Sequence, residues 1–414
     1  MRKRLIILVL CALALAPALV TTQDVPKRGM TVEDTLRVAT LADPHLSPDG
    51  RLVAFVVNTA DAKLNRRSSA IWMAASDGSR DAWPFTTQHS ARQPRWSPDG
   101  HRLAFLSARP EPDAAASAPA PRAQVFVLTV DAGGEARRLT AFTEGIDRFE
   151  WSPDGTRLAC ISRAAAPGSA AGQQDRSDAR HYRYSGYKFD GSGYSDGKTA
   201  QVWIVDVASG LSRQVTTSDR TAVSEGPVWS ADGSRLAFVG TRLDTDAEGN
   251  QDLWIVPAAG GEPARISDVA FRISRPRWSP DGRRLAYIAA RDWNAILKLH
   301  VSSAAGGPST VIANEFTFPS ELAWNADGRA LYALADTKGE SHLYRVDLAT
   351  QAVAAVTTGP RAVRQADINA AAGLITYIAN DATHADDLYV ADATGSNERR
   401  LTRTNDALLA QIDL

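Results

Sequence analysis

The 414-residue chain lacks most features of metal-rich, disulfide-linked or nucleic-acid-binding proteins. Its two cysteines, Cys11 and Cys160, exclude a disulfide framework and a cysteine-based zinc site. Lys and Arg total 46 against 47 Asp and Glu, and no basic run clusters along the chain, so a nucleic-acid partner is not expected. None of the seven histidines lies in a zinc-binding His-Glu-x-x-His motif. We therefore expect neither a metal nor another cofactor.

Long hydrophobic runs are also missing, apart from one at the N-terminus. Arg2, Lys3 and Arg4 precede an apolar run at residues 5–15, and small residues follow at positions that suit signal cleavage. The run is too short for an ordinary membrane span. We predict a signal peptide at residues 1–22, a periplasmic or secreted mature protein, and no membrane contact after cleavage.

A short motif, the first phrase, recurs along most of the chain. It reads Trp-Ser-Pro-Asp-Gly, followed after one residue by Arg-Leu-Ala-Phe, with substitutions in several copies. A worn further copy lies at residues 369–378. A second phrase, an aromatic strand that leads to Leu-Thr after a turn, follows each first one. The aspartates of the first phrase are Asp49, Asp99, Asp154, Asp232, Asp281 and Asp327. The aromatic side chains of the second phrase stand at Trp72, Phe126, Trp203, Trp254, His300, Tyr344 and Tyr389.

Each unit therefore holds four short strands. Pro, Asp and Gly in the first phrase suit a tight turn, and the strand after it is apolar on both faces, which predicts that neighbouring sheets cover it on both sides. Radial stacking of such units predicts an all-β fold, a seven-bladed β-propeller of four-stranded antiparallel blades, with the repeat Trp packed between blades. The predicted propeller covers residues 23–404, with blades at residues 40–90, 91–144, 145–220, 221–270, 271–317, 318–360 and 361–404.

The third unit carries an insertion at residues 164–199 that supplies the candidate binding residues. We select Tyr182, Arg183, Tyr184 and Tyr187, because Arg binds carboxylates and Tyr packs against apolar side chains. The alternative is a loop that folds back on its own propeller.

The same insertion contains a Gly-x-Ser-x-Gly match at Ser195. A nucleophile elbow needs an apolar strand before the serine and a helix after it. A Gly/Ser/Asp-rich loop precedes Ser195 and a strand is expected from Gln201, so we assign no catalytic residue.

These repeats, the opening residues 30–34, the insertion and the final phrase Leu401-Thr402-Arg403-Thr404-Asn405-Asp406 resemble the N-terminal propeller of prolyl-oligopeptidase-family serine peptidases. The similarity is greatest to the acylaminoacyl-peptidase and dipeptidyl-peptidase-like branch. The resemblance implies a propeller that gates access to the active site and partners that are short peptides or a peptidase domain. It also implies that residues 405–414 begin a linker to an α/β-hydrolase domain, which carries the Ser/Asp/His triad and is absent from this chain. We therefore expect the chain to be inactive alone.

Two other functions remain open at this point. The repeats are also similar to those of the Tol-system periplasmic protein, a propeller scaffold that binds other proteins. That protein carries a large α/β domain ahead of its propeller, for which this chain has no room. A propeller enzyme with a metal in its channel would need a set of His, Asp and Glu ligands that the motifs do not supply.

Overall fold

The chain is almost entirely β-strand where its structure is described. The computed structural model describes residues 27–61, 63, 65–86, 90–110, 120–131, 134–165, 188–189, 193–217, 221–242, 250–268, 271–292, 294–337 and 339–413. Within these ranges the α-helices are α1 (Val32–Arg37) and α2 (Asp406–Leu409). Neither of these short helices could cross a lipid bilayer. The all-β prediction is confirmed.

Most strands of the described residues form four-stranded sheets; the exceptions are one eight-stranded sheet and a pair of two-stranded sheets. Strand β1 (Arg28–Gly29) comes first. Sheet 1 holds β2 (Thr40–Leu46), β3 (Leu52–Asp61), β4 (Arg66–Ala75) and β5 (Trp83–Pro84). Sheet 2 holds β6 (Arg92–Trp96), β7 (Arg102–Ser107), β8 (Gln124–Thr129) and β9 (Arg137–Arg138). Sheet 3 begins with β10 (Arg148–Trp151) and β11 (Arg157–Ala165). An inserted hairpin of β12 (Lys188–Phe189) and β13 (Gly193–Tyr194) follows in the chain. The sheet is completed by β14 (Lys198–Asp206) and β15 (Ser212–Gln214).

The second half of the chain continues in the same way. Sheet 4 holds β16 (Thr221–Trp229), β17 (Arg235–Arg242), β18 (Gln251–Pro257) and β19 (Ala264–Arg265). Sheet 5 holds β20 (Arg272–Trp278), β21 (Arg284–Ala290), β22 (Lys298–Ser303) and β23 (Thr310–Ile312). Sheet 6a holds β24 (Thr317–Trp324), β25 (Ala330–Thr337), β26 (Glu340–Asp347) and β27 (Val353–Ala355). Sheet 6b holds β28 (Ala362–Asn369), β29 (Leu374–Asn380), β30 (Asp387–Asp392) and β31 (Arg399–Arg400), and β32 (Ile412–Asp413) ends the chain.

Neighbouring strands within each group of four pair antiparallel, as in sheet 5. Sheets 6a and 6b form one eight-stranded sheet because a single parallel pair, Ser341 with Ala362, joins β26 to β28. Strand β32 returns to pair with β1 in parallel.

The repeated Ser-Pro-Asp-Gly turn forms as its residue types predict. In sheet 5 the Ser279 hydroxyl donates to Asp281 at 2.5 Å, and the same carboxylate accepts from the backbone N–H of Arg283 at 3.0 Å. Gly282 has a φ of +65°, a left-handed conformation that glycine adopts without a steric penalty. The turn thus joins β20 to β21 in a tight hairpin.

The strand after each turn is covered on both faces, as the sequence predicts. In sheet 5 every residue of β21 after Arg284 is buried. One cluster joins Val239 of sheet 4 to Tyr287 of sheet 5, which places the hydrophobic core between neighbouring sheets. Each sheet therefore depends on its neighbours for burial.

The repeat Trp and Arg residues connect one sheet to the next. The Trp278 indole of sheet 5 donates to the Val228 carbonyl of sheet 4 at 3.1 Å. Arg235 of sheet 4 lies over the Trp278 ring, 4.7 Å from its centroid, and donates to the Gly282 carbonyl at 2.9 Å. Equivalent cation–π contacts are Arg102 with Trp151, Arg157 with Trp229, and Arg284 with Trp324. The predicted packing of Trp between sheets is confirmed.

The first strands of successive groups lie side by side in a closed ring. The order of contact is β2, β6, β10, β16, β20, β24, β28 and back to β2. Sheet 6b holds β28 to β31 and sheet 1 holds β2 to β5, so sheet 6b meets sheet 1 without an exchanged strand. This seam is bridged by side chains: the Asn369 amide donates to the Ser47 carbonyl at 2.8 Å, and Arg399 donates to the Ser76 carbonyl at 2.9 Å.

Candidate functional site

The four predicted binding residues, Tyr182, Arg183, Tyr184 and Tyr187, lie outside the described residues, so their role stays a prediction. The described end of the same insertion is the β12–β13 hairpin, where the Lys188 ammonium lies 5.3 Å from the Tyr194 ring centroid. Beyond the hairpin, Arg163 forms an ion pair with Asp196.

Ser195 lies in an exposed turn between β13 and β14. Its hydroxyl accepts a hydrogen bond from the Gly197 backbone N–H at 3.3 Å. The chain then runs directly into strand β14, whereas a nucleophile elbow opens a helix. This local structure differs from a nucleophile elbow, and the assignment of no catalytic residue stays a prediction.

Another serine, Ser309, lies beside both a histidine and an aspartate. Its hydroxyl is 2.8 Å from Asp268 Oδ1 and 3.0 Å from His300 Nδ1. In a catalytic triad the histidine stands between serine and carboxylate, whereas here the serine stands between the other two. The hydroxyl proton goes to the carboxylate, so the imidazole cannot remove it. His300 is buried and stacks on Tyr287, and this cluster is a packing feature.

The remaining thiol, Cys160, is fully buried in β11. Burial raises its pKa well above the ordinary range. A thiol in this environment is not available as a nucleophile.

The largest group of functional side chains lies at the centre of the ring. A cavity of about 640 Å³ is bounded by residues of the first strands of sheets 1, 2, 3, 4, 5, 6a and 6b. An adjoining space of about 410 Å³ shares much of the same wall. We call the two together the axial cavity. Its charged lining residues are Asp43, His45, Arg95, Arg148, Glu150, Glu225, Arg275, Arg277, Glu321 and Asp367.

Bulges in the first strands bring several of these residues to the cavity. Asp43, Gln93 and Arg275 each precede a proline, and each has a φ between +53° and +56°. The strand register shifts at all three places. Left-handed backbone is costly for residues other than glycine, and bulges redirect side chains next to functional sites. The same strained bulge therefore recurs in sheets 1, 2 and 5 where the wall of the cavity is built.

An acid–base network spans the seam between sheets 6b and 1. Arg95 donates to Asp43 at 3.0 Å, and His45 lies 3.1 Å from Asp43 and 3.6 Å from Asp367. Burial alone would raise the pKa of Asp43, but Arg95 and His45 hold it well below the usual range. Burial and Arg95 oppose protonation of His45, but Asp367 and Asp43 outweigh them and raise its pKa. Arg95, His45 and the two carboxylates thus satisfy one another.

The opposite wall of the cavity holds a second network. Arg275 forms an ion pair with Glu321 at 3.2 Å and approaches Glu225 at 4.0 Å. Burial raises the pKa of Glu150 to about 7, against the attraction of Arg277 and Arg95 for its charged form. Near neutral pH, Glu150 is therefore only partly ionised.

Two arginines of the cavity form no ion pair among the described residues. Arg277 donates to the Leu322 carbonyl at 3.2 Å and to the Pro276 carbonyl at 3.0 Å, and it forms no ion pair within the described ranges. Arg148 is exposed at the edge of the cavity, again without an ion pair to any described residue. Over the same residues, no three His, Cys, Asp or Glu side chains come close enough together to hold a metal ion.

The sequence analysis missed the axial cavity, although a signal for it exists. Pro44, Pro94 and Pro276 each lie two residues before the repeat Trp or its Leu replacement, within a strand that is central to the ring. Proline inside a strand marks a bulge or an edge. The residue after each of these prolines is charged or titratable in all three sheets, and these residues are His45, Arg95 and Arg277.

Comparison with curated proteins finds peptidases. No protein-family model matches the chain. It is 31% identical over 237 residues to the uncharacterized peptidase YuxL of Bacillus subtilis, a match that covers 56% of this chain and 34% of that protein. It is 23% identical over 407 residues to dipeptidyl-peptidase 5 of Porphyromonas gingivalis, covering 92% of this chain and 57% of that protein. The chain thus spans between about a third and somewhat over half of the length of these relatives.

Comparison with solved structures identifies the fold. The Pyrococcus horikoshii acylaminoacyl peptidase aligns with a TM-score of 0.68 at 20% identity, over 92% of this chain and 55% of that one. The β-propeller domain of the trilobed protease from Pyrococcus furiosus aligns with a TM-score of 0.60 at 17% identity, over 89% of this chain and 97% of that one. At this level of identity the structures show the fold alone, and the fold is a β-propeller built from four-stranded antiparallel sheets.

Proposed function

We propose that this chain, which is related to the propeller portion of prolyl-oligopeptidase-family peptidases, is the substrate-gating part of an exported serine peptidase that acts on short peptides. The observation that carries the proposal is the axial cavity, enclosed by first strands that form a closed ring. The peptidase names of the sequence relatives support the proposed substrate class.

The dimensions of the axial cavity suit a gate for small peptides. Its volume of about 640 Å³ lies within the range of about 300–1,000 Å³ that small ligands occupy in proteins. Eight of the 21 residues that line it are charged or titratable, and the networks around Asp43 and Arg275 fix the walls. A short flexible peptide can enter such a space, whereas a folded protein cannot.

We further propose that the propeller has seven blades with the boundaries predicted from the sequence. Sheets 1 to 5 are separate four-stranded sheets, and the eight-stranded sheet divides into 6a and 6b at a single pair of residues, which supports this number. Export through a signal peptide at residues 1–22, to a periplasmic or secreted location, is part of the same proposal.

The chain by itself should not cleave peptide bonds. We would test the purified protein with dipeptidyl and N-acylated chromogenic peptides, alongside Ser195→Ala. Neither form is expected to release product, because the described residues hold no activated serine. Turnover that disappears in Ser195→Ala would refute this interpretation.

Gating can be tested with peptides of increasing length. Trp229 and Trp278 line the axial cavity, so entry of a ligand should change tryptophan fluorescence. We expect peptides of about three to five residues to give a saturable change and a folded protein of similar composition to give none. A response to the folded protein equal to that of the peptides would contradict the gating proposal.

A further inference from the structure

We propose that the axial cavity binds a peptide carboxylate through the guanidinium groups of Arg277 and Arg148. This inference rests on the proposed function, because it assumes that short peptides enter the cavity. It adds the chemical group that the cavity recognises.

The first argument is the balance of charge in the cavity. The carboxylates of Asp43 and Glu321 already pair with Arg95 and Arg275. Arg277 acts to lower the pKa of both Glu150 and Glu321, but burial outweighs this attraction and raises both pKa values. Arg277 thus has no carboxylate in ion-pair contact among the described residues, and an incoming carboxylate would supply one.

The second argument is the geometry of Arg277. Its Nε and Nη1 groups donate to the Leu322 and Pro276 carbonyls, and these two bonds fix the plane of the guanidinium. A guanidinium has five N–H donors, so donors remain for a ligand. A side chain held in place before binding loses little rotamer entropy when the ligand arrives, and its planar fork matches the two oxygens of a carboxylate.

The third argument is what surrounds these cations. Arg148 lines the same two spaces as Arg277 and lies exposed at the edge, where it can attract an anion on entry. Trp229 and Trp278 are among the residues that line both spaces, so apolar side chains stand next to the charged ones in the wall. A peptide carries a carboxylate next to apolar side chains and so fits both features of the wall.

The test uses titration calorimetry on the full chain with three probes. They are Ala-Ala-Phe with a free C-terminus, the same peptide as its C-terminal amide, and N-acetyl-Ala-Glu-Phe amide. The amide of Ala-Ala-Phe has no carboxylate, so we expect it to bind at least about tenfold more weakly than the free acid. If the glutamyl peptide binds as the free acid does, a side-chain carboxylate is also a source of the recognised group. If it binds as weakly as the amide, the C-terminus is the source.

Variants assign the binding to the cavity. Arg277→Gln and Arg148→Gln should each weaken binding of the free acid by roughly tenfold and leave the amide unchanged. Arg283→Gln, an exposed arginine on the turn of the same sheet, is the matched control and should bind as the wild type does. Arg148→Gln keeps the test valid if Arg277→Gln, which loses two backbone contacts, fails to fold.

The outcomes separate this inference from the proposed function. Equal binding of free acid and amide, or unchanged binding of the acid by both variants, overturns carboxylate recognition while peptide gating stands. Serine-dependent turnover by the chain alone would instead overturn the proposed function and leave the binding result intact. Absence of binding by every peptide overturns both.

Discussion

Glu150 gives the sharpest quantitative prediction, because its burial links the stability of the propeller to pH. An ordinary glutamate titrates near 4.5, whereas burial in the axial cavity raises the pKa of Glu150 to about 7. Between these values the folded chain holds a proton that the unfolded chain has released. The contribution of Glu150 to stability is therefore fully present below pH 4.5 and is lost as the pH rises through 7.

The magnitude follows from about 1.4 kcal/mol for each pH unit between the two pKa values. From pH 5 to pH 8 the wild type should lose about 2.5 kcal/mol of unfolding free energy through Glu150. Glu150→Gln has no proton to lose. Its stability relative to the wild type should therefore rise by about 2.5 kcal/mol over the same interval.

Urea unfolding at pH 5, 6, 7 and 8, followed by tryptophan fluorescence, measures this difference. Glu315→Gln removes an exposed carboxylate outside the cavity and is the matched control for the loss of a carboxylate. A difference between Glu150→Gln and the wild type that changes by less than about 0.5 kcal/mol between pH 5 and pH 8 would refute the reasoning.

Two further predictions concern packing between and within sheets. Arg235→Ala removes the contact with Trp278 and a charged hydrogen bond, so the unfolding free energy measured in urea should fall by about 1–3 kcal/mol. Arg283→Ala, on an exposed turn, should change the unfolding free energy by less than about 0.5 kcal/mol. Equal losses in the two variants would contradict the role assigned to Arg235. Because burial raises the pKa of Cys160, a thiol reagent should label it in Cys11→Ser protein only after unfolding; labelling in the native state at the rate of a free thiol would contradict its burial.

The sequence predicted the parts of the fold that depend on local chemistry repeated many times. The Ser-Pro-Asp-Gly turn at Asp281 follows from the conformations that proline, aspartate and glycine each prefer. The place of Trp278 between sheets follows from its size and its recurrence. The resemblance to the propeller portion of prolyl-oligopeptidase-family peptidases, inferred from such repeats, is likewise confirmed by the peptidase relatives and the propeller structures.

The axial cavity was not predicted, for two physical reasons. Its members lie far apart in the sequence, as His45 and Asp367 do, and come together only when the ring closes. Residues at one equivalent position of the first strands also differ in chemical type. This position holds His45 in sheet 1, Arg95 in sheet 2 and Asp367 in sheet 6b. A search for repeated residue types passes over a position whose residue changes from sheet to sheet. The predicted binding residues Tyr182, Arg183, Tyr184 and Tyr187 remain predictions.

A departure from the repeat in sheet 1 marks the seam at which sheets 1 and 6b are joined by different contacts from the other sheets. Sheet 1 has Leu46 where sheets 2 to 6a have Trp, so no indole N–H reaches back across the seam with sheet 6b. In its place the Leu46 backbone N–H donates to Asp367 at 2.9 Å, and the same carboxylate lies beside His45. The group that helps to close the ring is thus also part of the wall of the axial cavity. Chemistry in the cavity and closure of the propeller are therefore coupled through Asp367, whereas the contact of Arg235 with Trp278 joins sheets 4 and 5 without any member of that network.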